Sequence, residues 1–214
     1  MLILGINTAG DTCEAALVRD GVVIGARWES MTQGHDARLA PVVDQVMREA
    51  GAAFSDLKRI AVVVGPGSFT GVRVGVAFAR GLALALDISA VGVSSLEALE
   101  ELPKQGRVLG LLPAKRRPPE KTWWGQVLAD GRGAAEPFEA SEDQLAALAR
   151  DVVAVCGGLS DVPDLGVARI VSKPSAIAAA MFAGKLSGDL PPPRPIYVRE
   201  PDAKPMAATP TSRT

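Results

Sequence analysis

The sequence predicts an α/β fold of two duplicated lobes, each a mixed sheet flanked by helices. Three observations carry this. Short apolar, strand-like runs alternate with segments of helical period. A strand, a glycine turn and a long apolar-faced helix follow one another from Ile60 to Leu86. The order then restarts: Val108-Leu109-Gly110-Leu111-Leu112 resembles Leu2-Ile3-Leu4-Gly5-Ile6, and Val152 to Ser160 echoes Ile60 to Ser68 as strand, glycines, serine. A chain of 214 residues can build two small lobes with real cores. The expected lobes are 1–104 and 105–200, joined near Pro103 to Gln105, with a tail over 201–214 too polar and proline-rich to order.

Each element has a local reason. Leu2 to Asn7 reads as a buried strand. Thr12 to Val18 and Val22 to Trp28 flank Asp20-Gly21, a hairpin signal. Leu39, Val42, Val43, Val46, Met47 and Ala50 recur at helical spacing, and Gly51 stops that helix. Ile60 to Val64 is a short apolar strand, and Val72 to Leu86 the next helix. On it Gly71, Gly75, Ala79 and Ala83 recur every four positions, a stripe that admits another backbone, either the chain's own sheet or a partner. Ser89 to Val93 is a strand, and Ser94-Ser95 with Glu97 and Glu100 opens a short helix. In the second lobe Trp123 to Asp130 is a hairpin arm turning at Asp130-Gly131, Ser141 caps a helix to Arg150, and Pro174 starts a last helix to Leu186. Pro191 to Pro193 is extended, and Ile196 to Val198 is expected to dock as a short strand.

Composition excludes several classes. A net charge of −1 confines any nucleic-acid grip to a local patch. No run approaches 18 uninterrupted apolar residues, so no membrane span is expected. Met1 to Gly5 lacks the basic region of a signal peptide. Cys13 and Cys156 sit in apolar strands and read as buried free thiols in a reducing cytosol.

The motifs are few. In Gly65-Pro66-Gly67-Ser68-Phe69-Thr70-Gly71 the glycines permit positive φ or close approach, and Ser68 and Thr70 bring hydroxyls to a helix start. Gly65, Gly67, Ser68, Thr70 and Gly71 therefore form either a phosphate or anion loop, or a tight turn with Ser68 or Thr70 as N-cap. The run has neither the lysine of a Walker loop nor the spacing of GxGxxG. Asp11 reads as an Asx-turn residue. His35 is the only histidine, so no two-histidine metal site can form, and it reads as part of a solvated helix cap. Lys115, Arg116, Arg117 and Lys121 stand beside Trp123 and Trp124. That cluster is either a single-stranded RNA contact or a solvated loop before a strand that buries one tryptophan.

The glycine run closely resembles the signature of the bacterial TsaB (YeaZ) family, a partner subunit in making threonylcarbamoyladenosine on tRNA. Further segments share the likeness. His35 to Pro41 is similar to the family's His-Ser-x-x-Leu-Leu-Pro, Val91 to Leu99 is nearly verbatim, and Pro195 to Arg199 resembles its Pro-x-Tyr-Leu-Arg. The strong match covers about the first hundred residues. Two positions depart: Asn7 stands where the family has aspartate, and Pro113 stands in the segment Leu112 to Arg116 where it has Ile-Asp-Ala-Arg-Arg. Both remove carboxylates that would attract Mg²⁺.

The resemblance implies an actin-like, RNase-H-related fold without catalytic or metal-binding residues of its own. It also implies a TsaD-like catalytic subunit and a TsaE-like ATPase as partners, with tRNA met only indirectly. No cofactor is expected, a nucleotide being allowed only where the complex meets. The helices near Arg38–Ala50 and Val72–Leu86 are expected to form the docking surface through Leu39, Val42, Val43, Val46, Val72, Gly75, Val76, Ala79 and Ala83, or to pair with a second copy when the partner is absent. Two other readings compete. A free-standing actin-like ATPase or sugar kinase would want an acidic residue at position 7, and a peptidase would need a metal site or a triad.

Overall fold

The computed structural model describes residues 1–103, 105–114, 121–159, 161–188 and 190–198. The first sheet is formed by β1 (Leu2–Asn7), β2 (Thr12–Arg19), β3 (Val22–Ser30), β4 (Leu57–Val63) and β5 (Ser89–Val93), in the order β3-β2-β1-β4-β5. Between these strands lie α1 (His35–Glu49) and α2 (Phe69–Leu86). The second sheet contains β6 (Arg107–Ala114), β7 (Thr122–Ala129), β8 (Arg132–Gly133), β9 (Phe138–Ser141), β10 (Ala154–Gly157) and β11 (Ala168–Val171). Its order is β11-β10-β6-β7-β8, with β9 also paired to β7. The helices α3 (Glu142–Leu148) and α4 (Ala176–Ala183) complete the chain.

The duplication is visible in the pairing. β1 runs antiparallel to β2 and parallel to β4, and β6 runs antiparallel to β7 and parallel to β10. Both hairpins turn on Asp-Gly, with Asp20 and Asp130 at φ of 50° and 51° and each following glycine also positive, the geometry of a type I′ turn. The second copy is reduced: among the described residues no helix stands between β10 and β11 where α2 stands between β4 and β5.

The two halves exchange cover. The segment after β5 leaves its own sheet, and Leu96 lies over Gly110 of β6, where a Cβ would stand 3.2 Å from the leucine Cδ2. In return, the segment after β11 crosses back. A Cβ on Gly5 of β1 would stand 2.0 Å from the Ala176 carbonyl, so only glycine lets α4 lie against that strand. The two crossing segments bond to each other: Ser175 N–H donates to the Ala98 carbonyl at 3.0 Å, and Glu100 N–H to the Lys173 carbonyl at 3.1 Å.

This crossing revises the expected second lobe. The join near 104 falls between the two sheets, but Ala179, Ala180 and Ala183 of α4 belong to the core of the first lobe. Arg59 on β4 caps the end of that helix by donating to the Ala183 and Leu186 carbonyls at 2.6 and 2.9 Å. The chain then runs back along β4, where Ile196 N–H donates to the Val64 carbonyl at 2.7 Å. That bond replaces the expected strand at Ile196 to Val198. The last helix starts at Ala176 with Ser175 as its cap, rather than at Pro174, because the Ser175 hydroxyl accepts from Ala178 N–H at 3.1 Å. The helix expected after Ser94 is a single turn. The Ser94 hydroxyl accepts from Glu97 N–H at 3.0 Å, and the Glu97 carboxylate accepts from Ser94 N–H at 3.1 Å. The tail over 201–214 lies outside the described residues.

α2 is long and apolar enough to cross a membrane by length and composition, a test that a core helix also passes, and its inner face is packed in the first core. A separate core in the second lobe gathers Leu109, Leu111, Trp123, Leu145 and Val155.

Candidate functional site

The glycine loop joins β4 to α2, and backbone crowding dictates its composition. A Cβ on Gly67 would stand 2.2 Å from the Ala9 carbonyl oxygen, and one on Gly71 would stand 2.0 Å from that of Thr8. Gly65 has φ of +100°, a region that disfavours any side chain. Across the same contact Ser68 N–H donates to the Ala9 carbonyl at 2.6 Å, and the Thr8 hydroxyl donates to the Gly71 carbonyl at 2.7 Å. Ser68 is the N-cap of α2, accepting from Gly71 N–H at 3.3 Å, while Thr70 points to solvent. Of the two readings of the loop, a close backbone joint to the β1–β2 turn accounts for Gly67 and Gly71. The Ser68 amide is spent on Ala9 rather than left open to an anion.

Where the lobes meet, a cleft of about 390 Å³ opens beside this loop. One wall carries Asn7, Ala9 to Thr12 and Glu14. From the second sheet come Leu112 and Pro113 of β6 and Trp124 of β7, and Pro66, Gly67, Ser68, Ser95, Lys173 and Pro174 complete the lining. Asn7 is buried, and both halves of its amide are used: Nδ2 donates to the Pro174 carbonyl at 3.1 Å and Oδ1 accepts from Ala9 N–H at 3.1 Å. An aspartate there could not donate to Pro174, so the departure at position 7 serves the crossing between lobes. Glu14 is buried too, and its carboxylate accepts from Ala176 N–H at 2.9 Å and from the Thr12 hydroxyl at 2.7 Å. It thus places a negative charge on the N-terminus of α4.

Ser95 differs. It is 1% exposed, and its hydroxyl has no hydrogen-bond partner among the described residues. A buried hydroxyl left so costs about 1–3 kcal/mol. Sequence reasoning missed Ser95, Glu14 and Lys173 as lining residues. A signal existed only for Glu14, a lone charge inside the apolar strand Cys13 to Val18.

At the two positions where the family likeness expects carboxylates the cleft offers none: Asn7 is uncharged, with Nδ2 and Oδ1 each in a hydrogen bond, and Pro113 has no side-chain oxygen, while the loop amide of Ser68 faces a carbonyl. Among the described residues no group of three His, Cys, Asp or Glu is placed to hold a metal ion.

The expected docking residues require a correction. Leu39, Val42, Val43 and Val46 of α1 and Val72, Gly75, Val76, Ala79 and Ala83 of α2 are all buried in the first lobe. Their period marks the faces turned to the chain's own sheet, since a buried stripe and a docking stripe have the same spacing. Gly75 serves Thr8, whose Oγ1 would lie 2.4 Å from a Cβ there. The opposite face of α2 is free: Thr70, Arg73, Ala77, Arg80 and Leu84 share it, and Leu84 is 84% exposed. At its start Arg73 stacks 3.6 Å over the Phe69 ring and donates from Nε to the Tyr197 hydroxyl at 2.8 Å.

His35 is not solvated as expected but buried, its Nε2 3.2 Å from the Thr12 carbonyl, which ties the start of α1 to β2. Both cysteines are buried free thiols, and burial pushes each up to about 11. Trp123 is buried in the second core while Trp124 lines the cleft. Lys115, Arg116 and Arg117 lie outside the described residues.

Comparison with known proteins places this geometry in context. The family model for TsaD, tRNA N6-adenosine threonylcarbamoyltransferase, matches residues 25–113. The tRNA threonylcarbamoyladenosine biosynthesis protein TsaB of Escherichia coli is 33% identical over 78% of this chain and 75% of its own length. TsaB of Bacillus subtilis is 42% identical, over 46% of this chain and 43% of its own. A crystal structure from Pseudomonas aeruginosa, of an uncharacterized protein with similarity to peptidase YEAZ, superposes with a TM-score of 0.74 at 28% identity. It covers 92% of this chain and 99% of its own. A ROK hexokinase from Thermus thermophilus shares the fold alone, at TM-score 0.54 and 12% identity over 86% of this chain and 97% of its own. The architecture is the actin-like ATPase fold in two duplicated lobes.

Proposed function

The chain belongs to the TsaB family, which gives it a role in tRNA threonylcarbamoyladenosine biosynthesis, and from that premise we propose that it acts as a partner subunit without chemistry of its own. It docks on a TsaD-like catalytic subunit in the cytoplasm and supports transfer of a threonylcarbamoyl group to adenosine of tRNA. A TsaE-like ATPase joins the same assembly. The observation that carries the reading is the outer face of α2. This is an apolar 18-residue helix whose inner stripe is consumed by the core, leaving Ala77, Leu84 and the paired Arg73 and Arg80 uncovered. Ala77 between the two arginines and Leu84 one turn beyond Arg80 suit a partner helix with apolar and acidic positions. In the absence of that partner the same face pairs with a second copy.

A free-standing ATPase or kinase finds no support in the cleft, where Asn7 and Pro113 replace carboxylates. A peptidase finds none in His35, which is buried against a carbonyl.

The test is co-expression with a TsaD-like protein followed by size-exclusion chromatography. Ala77→Arg and Leu84→Arg should leave a folded monomer that no longer co-elutes with the partner or pairs with itself. Modification of tRNA in a reconstituted mixture should fall in step. Normal co-elution of both variants would remove this face from the interface.

A further inference from the structure

The outer face of α2 is not a bare helix, because the segment 190–198 builds onto both of its ends. At the start of α2, Tyr197 lies beside Phe69 with ring centroids 5.2 Å apart, and its hydroxyl accepts from Arg73 Nε at 2.8 Å. The Arg73 guanidinium stacks 3.6 Å over the Phe69 ring. Stacking and one hydrogen bond thus fix an exposed side chain that would otherwise sample many rotamers. Among the described residues its two terminal nitrogens, the fork that fits a carboxylate, meet no acceptor. α2 itself carries no aspartate or glutamate, and Arg80 is its only other charge.

Three turns further on, the same segment walls a groove of about 460 Å³ beside the helix. Leu84, Ile88, Leu190, Pro192 and Pro193 make it apolar, and the prolines stiffen its far wall. Gly81 also lines it, and a Cβ there would meet nothing within 4 Å. Arg73 and Leu84 stand eleven residues apart, about 16 Å along the helix. Only Ala77 and Gly81 lie on the track between them beside Arg80.

We propose that this composite surface seats one amphipathic helix of the TsaD-like subunit. A carboxylate on that helix pairs with Arg73, and a large apolar side chain about three turns away fills the groove beside Leu84. The inference rests on the docking reading above and supplies its two anchors. A second copy of this chain offers no such match, since its own α2 has no carboxylate to give. Tyr197 is a positioning residue that acts through Arg73. An arginine already held in place loses little freedom on pairing, the condition for a strong anchor.

The test is the affinity of the full chain for a TsaD-like subunit by calorimetry, with melting by circular dichroism as the folding control. Arg73→Ala should weaken binding about thirtyfold or more. Gly81→Leu fills the groove and should weaken it about tenfold or more, while its Tm holds or rises because glycine is the poorer helix former. Tyr197→Phe should cost about threefold in the parent and nothing in the Arg73→Ala protein, a coupling that a general loss of packing would not produce. Arg73→Ala should leave self-pairing unchanged. Parent-like affinity in Arg73→Ala or in Gly81→Leu would overturn the assignment. An equal cost of Tyr197→Phe in both backgrounds, or self-pairing lost along with partner binding in Arg73→Ala, would overturn it as well. If Ala77→Arg and Leu84→Arg block docking while these variants bind normally, the anchors fail and the face stands. If all of them bind normally, the docking face itself fails.

Discussion

Replacing Gly67 by alanine isolates the physical role of the glycine loop. The new Cβ would stand 2.2 Å from the Ala9 carbonyl oxygen and 3.0 Å from its carbon, both backbone atoms. Ordinary contact begins near 3.4 Å, so two backbone segments must part by roughly 1 Å. They also share the 2.6 Å bond from Ser68 N–H to that oxygen, so separation strains a hydrogen bond too. Overpacking of this kind costs about 1–3 kcal/mol, and unyielding backbone places this case near the top. For a chain of this size about 3 kcal/mol lowers the Tm by about 6–12 °C. Ser68→Ala removes only the cap, about 1 kcal/mol and about 2–4 °C. Gly10→Ala is the control: nothing lies within 4 Å of its Cβ, so a change within about 0.5 kcal/mol is expected. The assay is thermal melting by circular dichroism for all three variants. A Gly67→Ala protein that melts within a degree of the parent would refute the claim that backbone crowding selects glycine here.

Other substitutions and conditions have equally definite outcomes. Ala79→Arg, which puts a charge at a 0% exposed site, should give insoluble or unfolded protein, whereas Ala77→Arg should remain folded; matching chromatographic profiles of the two would contradict the burial assigned here. Glu14→Leu leaves Ala176 N–H and the Thr12 hydroxyl without their acceptor and should cost about 3 kcal/mol by chemical denaturation, against about half that for Glu14→Gln. Equal costs would mean that the carboxylate does not hold α4. Burial lifts the Cys13 and Cys156 thiols from 9.0 to about 11, so the folded chain holds more protons than the unfolded one between those values. Stability should therefore be intact below pH 9 and decline as pH rises toward 11, and a thiol reagent at pH 8 should label neither cysteine until the chain unfolds. Rapid labelling of the native protein would count against that burial.

Much of the architecture was legible in the sequence because it rests on local rules. The Asp20-Gly21 and Asp130-Gly131 turns, the apolar strands and the helical period of α1 and α2 are properties of a few neighbouring residues. The repeat of Leu2 to Ile6 in Val108 to Leu112 gave the duplication, and the sheets confirm it in matching strand order. The glycine run marked the joint between β4 and α2, and the family likeness marked the biosynthetic role.

What the sequence alone determined, then, is which segments are strands or helices and which residues prefer to be buried. It could not say what buries them. Leu39, Val46, Val76 and Ala79 have the spacing of a docking face, but the chain's own sheet takes them, because water exclusion by sheet and by partner select the same period. It could not say that α4 would leave the second lobe, since that depends on Gly5 giving room and on Glu14 and Arg59 meeting the two ends of a helix more than a hundred residues away. Nor could it single out Ser95, an ordinary serine until the two lobes close around it and leave its hydroxyl buried without a hydrogen-bond partner among the described residues.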